Sequence, residues 1–208
     1  MQRSRSRRCS PGGKLTDWGA HHVDIATWAA GKTDTGPVSI EPVMVKHPVP
    51  LRDGQPTVDD RYNTPSEFLI RATYGDGLEL VIRHDTDNGI LFEGSEGRIF
   101  VNRGKLKGRP VEDLATRPLE PEAVRAVWKG RDPIDHVAEF FAAVTERREP
   151  IADVASHHRA LTTCHLAGIA ARLGRPIRWD PATEQIVGDD LAASFLARES
   201  RRGYAVEG

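Results

Sequence analysis

The chain has 208 residues and an almost balanced charge, 29 Lys plus Arg against 30 Asp plus Glu, for a formal net charge of −1. That length suffices for one real core, and the balance leaves no long-range field to select nucleic acid or an acidic membrane surface. No run is apolar and long enough to span a bilayer. The two cysteines, Cys9 and Cys164, make no disulfide framework, so a reducing, cytoplasmic setting is expected.

Residues 1–11, MQRSRSRRCSP, read as a disordered basic leader. No apolar region follows the arginines, so the leader is not a complete secretory signal. Residues 12–208 read as one domain. The segment 16–30, TDWGAHHVDIATWAA, predicts a helix capped by Thr16 or Asp17 and closed by Gly31. Gly19 in its first turn costs about 1 kcal/mol against Ala, which implies close approach by another backbone or side chain. Residues 36–50 alternate between prolines and predict a strand with Pro-limited ends.

A polar loop is expected over 51–65, followed by an antiparallel meander. Its strands fall at 66–74, 78–85, 90–93 and 98–102, with a further hairpin tip at 104–108. The last third turns helical. Over 133–147, Ile134, Val137, Phe140, Phe141 and Val144 share one face. A second helix over 155–173 ends at Gly174, a short strand covers 176–179, and the rest is a polar tail with one weak helix. Grouped strands flanked by helices at both ends of the sequence predict an α+β fold, not alternating βαβ units. No G-x-G-x-x-G follows a strand, so these residues carry no dinucleotide fingerprint.

The chemistry gathers in Gly12-Gly13-x-x-x-Asp17-x-x-x-His21-x-x-Asp24. At about 100 degrees per residue, Asp17, His21 and Asp24 form one narrow stripe, continued by Trp28. Trp18, Ile25 and Ala29 form the adjacent stripe, expected to face the core. An imidazole between carboxylates suits general acid-base work near neutral pH. The same spacing equally describes an N-cap aspartate with an i,i+4 histidine on a solvated face. A metal site is a further alternative, although no H-x-x-x-H or C-x-x-C pair supports it.

Residues 12–31, GGKLTDWGAHHVDIATWAAG, resemble the opening of the C-terminal domain of the Gfo/Idh/MocA oxidoreductases, which reads G-G-x-x-x-D-x-G-x-H-x-x-D. LELVIRHDTDNGILFEGSEGRIFVNRGKL and the closing run REPIADVASHHRALTTCHLAGIAARLGRPIRWDPATEQIVGDD resemble the same domain, closest to a bacterial subgroup with this ending. The resemblance implies an open, mainly antiparallel sheet with helices packed on one face. The other face would support a homo-oligomer. It further implies NAD or NADP, held by a Rossmann domain, and a sugar or polyol substrate lying between the domains. By the helix motif, His21 would accept the hydroxyl proton as hydride leaves the same carbon, with Asp17 as its carboxylate partner and Asp24 in support. The family's Rossmann domain and its E-K-P lysine have no counterpart in these residues. The chain is therefore expected to be a fragment, or a subunit that meets its Rossmann domain in trans, and to be inactive alone. A non-catalytic sugar-binding or oligomerisation module, and a metal-dependent lyase or isomerase, stand as alternatives.

Other polar residues divide similarly. His84 shares a strand face with Leu78, Leu80 and Ile82, where it either lines the substrate cleft or satisfies the sheet. His158 opens the last long helix, facing substrate or solvent. His165 is expected in the core. Asn63-Thr64-Pro65 either touches a sugar hydroxyl or turns the chain into the next strand.

Overall fold

The computed structural model describes residues 12–58 and 60–197. The leader, Cys9, Asp59 and the end of the tail lie outside the described residues. In chain order the elements are α1 (Trp18–Ala29), β1 (Ser39–Lys46), β2 (Leu51–Arg52), β3 (Gln55–Pro56), β4 (Glu67–Thr73), β5 (Glu79–Arg83), β6 (Ile90–Gly94), β7 (Gly97–Asn102), β8 (Lys105–Lys107), α2 (Arg109–Glu112), α3 (Pro121–Val127), α4 (His136–Glu146), α5 (Val154–Leu173), β9 (Ile177–Asp180), β10 (Gln185–Ile186) and α6 (Asp190–Ala193). The fold is α+β, and every strand pair among the described residues is antiparallel. No helix is long and apolar enough to cross a membrane among those residues.

Two compact units divide the chain. The first takes in the described residues up to Thr86 and from Arg159 onward; the second is Asp87–His158. The first unit holds an open five-stranded sheet in the order β10-β9-β1-β4-β5. Alternation along β4 sends Phe68, Ile70 and Ala72 inward and Glu67, Leu69, Arg71 and Thr73 outward. The inward side chains meet Leu166, Ala167, Ile169, Ala170 and Ala171 of α5 in one apolar cluster with Ile40, Ile177 and Trp179. β1 contains Pro42, which has no N–H to give. Its pairing with β9 covers only Ser39 and Ile40, so the missing donor falls where no partner strand needs it. The register with β4 shifts between Pro42 and Met44, a bulge that absorbs the interruption.

Several expectations are corrected by these pairings. The meander does not run through as one sheet: β6, β7 and β8 form a separate three-stranded sheet. The cause is the turn-rich stretch after β5, where Asp85 folds back onto Arg83 at 2.7 and 2.9 Å and Asp87-Asn88-Gly89 supplies no strand former. The hairpin tip at 104–108 is instead strand β8. The loop over 51–65 contains the hairpin β2–β3, turned by Asp53 and Gly54 at φ of 50° and 72°, the paired positive angles of a type I′ turn.

In the second unit, α4 starts at Asp135, whose carboxylate accepts from Val137 N and Ala138 N at 2.9 and 3.2 Å. The five apolar residues of its predicted face are all exposed, from Ile134 at 45% to Phe141 at 62%. Its buried residues are Glu139 and Ala143. Glu139 grips Arg148 through both oxygens at 2.7 and 2.8 Å and accepts from Ile151 N at 3.1 Å. The Arg148 guanidinium therefore holds the Glu139 carboxyl down at about 2.

Candidate active site

The site begins at the turn before α1. Gly13 opens a 3-10 turn over Gly13–Leu15, and Leu15, 1% exposed, plugs that turn into the core. The Gly13 carbonyl accepts from Thr16 N and Asp17 N at 3.2 and 3.0 Å, which aims the chain into the helix. Asp17 occupies the N-cap position, yet its side chain makes no capping bond. Its carboxylate is exposed, and His21, one turn further, is exposed as well. Both residues are thus open to solvent at the N-terminal end of α1.

The packed side of α1 is the opposite one. Gly19, Val23, Ala26 and Thr27 are buried, and Thr27 Oγ1 donates back to Val23 O at 2.9 Å and Asp24 O at 3.0 Å. The stripe of Trp18, Ile25 and Ala29 does not face the core: Trp18 is 43% and Ile25 41% exposed. The reason is the neighbour. A Cβ on Gly19 would lie 3.3 Å from Cys164 Sγ of α5, so the helices approach closely and the contact selects small residues. The large apolar side chains are left on the outer face beside Asp17 and His21. There the Trp18 ring sits 6.1 Å from His21 and 5.8 Å from His22, and Trp28 is 53% exposed.

Asp24 is half-buried at the edge of this face. Burial, and then the Asp24 charge, push the Cys164 thiol up to about 12. Cys164 is thus a packing residue and a poor nucleophile. In a Cys9→Ser variant, Cys164 is expected to resist a thiol reagent under native conditions at about pH 8 and to react on unfolding. The sign of the accompanying pH effect is fixed. The unfolded thiol ionises near its ordinary 9.0 while the folded one keeps its proton to about 12. Its contribution to stability is therefore full below that lower value and falls as pH rises through the window.

A loop borders the Gly12-Gly13 turn. A Cβ on Gly13, whose φ is +50°, would fall 2.3 Å from Thr64 Oγ1 and 2.4 Å from Tyr62 Oη. Only glycine lets both hydroxyls crowd onto this turn. His47 holds the loop from behind: its Nδ1 lies 3.3 Å from Asn63 O and its Nε2 3.2 Å from Ala171 O of α5. Neither His47 nor Tyr62 was flagged by sequence, because the contacts join segments far apart in the chain.

Two further histidines were candidates. His84 Nδ1 is 3.0 Å from both Phe68 N and Phe68 O, and its ring stands 5.8 Å from Phe68. That commits one ring nitrogen to the sheet. His158 is exposed in the first turn of α5 and belongs to the second unit. His165 is exposed, not in the core; it falls on the side of α5 away from Leu166 and Ala167.

Among the described residues no group of three or more His, Cys, Asp or Glu converges to hold a metal ion. A dinucleotide pocket of the Rossmann kind needs parallel strands and a glycine-rich strand-to-helix turn. With only antiparallel pairs among them, the described residues do not fit that cofactor's nucleotide end. They offer an exposed imidazole, a carboxylate and aromatic surface.

No curated protein and no solved structure matches the chain. A family model described as "Oxidoreductase family, C-terminal alpha/beta domain", for Gfo/Idh/MocA proteins, matches residues 8–206. That match spans the Gly12-Gly13 turn, α1, all three sheets and α5, and so the chain belongs to the Gfo/Idh/MocA oxidoreductase family through its C-terminal α/β domain.

Proposed function

We propose that the chain supplies the substrate side of an NAD- or NADP-dependent dehydrogenase acting on a sugar, a polyol or a derivative. The observation that carries this reading is the joint exposure of Asp17 and His21 on one face of α1 in a chain of this family. His21 takes the proton of a secondary hydroxyl, and Asp17 orients the imidazole and stabilises the imidazolium that forms. Asp24 shapes the edge of the face, and the exposed Trp18 and Trp28 rings offer apolar surface to the substrate's C–H face. His84, held to β4 through one ring nitrogen, and the exposed His158 are the remaining candidate substrate contacts.

Nicotinamide, when present, supplies the hydride acceptor. It arrives with a Rossmann domain that joins this chain in trans or as part of a longer protein. Homo-oligomers form through the outer face of the first sheet, where Val43, Met44 and Val81 stand exposed around the Arg71–Glu41 and Arg71–Glu79 pairs at 3.0 and 3.6 Å. An open antiparallel sheet leaves such a face free.

Calorimetric titration of the full chain tests the reading. Binding of at least one of myo-inositol, D-glucose, D-xylose or D-sorbitol is expected, with no heat from NADH. A tight NADH complex, with none of the polyhydroxy compounds bound, would reverse the assignment.

A further inference from the structure

Two polar groups beside α1 have nothing to bond. Thr64 is 1% exposed and its Oγ1 meets no hydrogen-bond partner, and Asn63 Oδ1 is likewise buried without one. A buried hydroxyl or amide oxygen left unmet carries its full desolvation penalty. Both belong to the loop that crowds onto Gly13, at the turn that launches Asp17 and His21. The penalty is therefore stored at the edge of the candidate active site.

We propose that Asn63 and Thr64 are specificity residues: they receive a substrate hydroxyl next to the carbon whose own hydroxyl His21 deprotonates. The inference rests on the polyhydroxy substrate class proposed above. A hydroxyl and an amide oxygen together offer one donor and several acceptors, the complement of a vicinal diol. Tyr62 controls the approach. Its phenol, on a side chain 47% exposed, shares the space at Gly13 with Thr64 Oγ1. Rotation of that one side chain outward opens the space in front of Thr64 Oγ1. The backbone behind it stays fixed, because His47 ties Asn63 O to the end of α5. A site built to bond a hydroxyl rejects the deoxy analogue strongly, since its own polar groups are then left unpaired.

Thr64→Val is the decisive variant, because it keeps the shape and removes the hydroxyl. Thermal melting and calorimetric titration with the four polyhydroxy compounds are read on the full chain, wild type and T64V side by side. The expected result is a raised melting temperature together with binding weakened by about tenfold or more. Val144→Thr, on the exposed face of α4, is expected to leave that binding within about threefold. Unchanged binding in T64V overturns the proposal whatever the melting temperature does. A lowered melting temperature overturns it too, because it marks a hydroxyl already satisfied inside the fold. If wild type binds none of the four compounds, the substrate class falls and this inference falls with it. Loss confined to T64V leaves the class intact.

Discussion

Replacing His21 with glutamine is expected to lower kcat for alcohol oxidation by about 10²–10⁴-fold, measured with the chain joined to a dinucleotide-binding domain of its family. KM should barely move, because the imidazole acts on a proton that shifts only in the transition state. The melting temperature should not move either, since His21 is exposed and contributes nothing to the packed side of α1. Asp17→Asn should produce a smaller loss in kcat by leaving the imidazole without its carboxylate. The order matters. A surface ion pair contributes at most about 1 kcal/mol, so a merely structural Asp17–His21 pair predicts two equal, slight effects. A deficit in H21Q smaller than about tenfold removes His21 from the role of base.

The largest stability effect is expected inside α5. Leu166 is fully buried and packs with Phe68, Ile70 and Ile40 where the helix lies on the sheet. Leu166→Ala should cost about 2–5 kcal/mol, the lost transfer energy plus the cavity left behind. For a chain of this size each kcal/mol lowers the melting temperature by about 2–4 °C. Chemical denaturation should show the same loss as a lower midpoint at unchanged slope. The site would survive in the folded fraction, because α1 meets α5 through Gly19 and Cys164 and not through Leu166. A change of less than about 1 kcal/mol would mean that the sheet and α5 are not the unit's core.

Local chemistry made much of this fold legible. Gly31 and Gly174 close α1 and α5 at φ of 66° and 63°, and the alternation over 66–74 marked the strand that is β4. What failed had a physical reason in each case. Trp18 and Ile25 read as core because apolar periodicity cannot tell a packed stripe from a binding stripe. The packed stripe is the one with small residues, and Gly19 was its only local sign. Asp53-Gly54 was a usable hairpin signal, but strands of two residues on either side are too short to show a period. The apolar face read for α4 is exposed, while the buried Glu139 was hidden because its partner Arg148 lies beyond the helix. In the candidate site, the i,i+4 spacing of Asp17 and His21 was legible, and both residues are exposed. The loop of Tyr62, Asn63 and Thr64 gained its place only through Gly13 and through His47, whose two carbonyl partners stand 16 and 124 residues away in sequence.

The central claim is that substrate meets the chain on the outer face of α1. NMR titration of the isotopically labelled full chain with whichever polyhydroxy compound binds tests it most directly. The His21 ring and the amides of Gly13, Asp17 and Tyr62 through Thr64 are expected to shift together, with the outer sheet residues Val43 and Val81 unmoved. Shifts confined to the sheet face or to α4, with His21 silent, would contradict it.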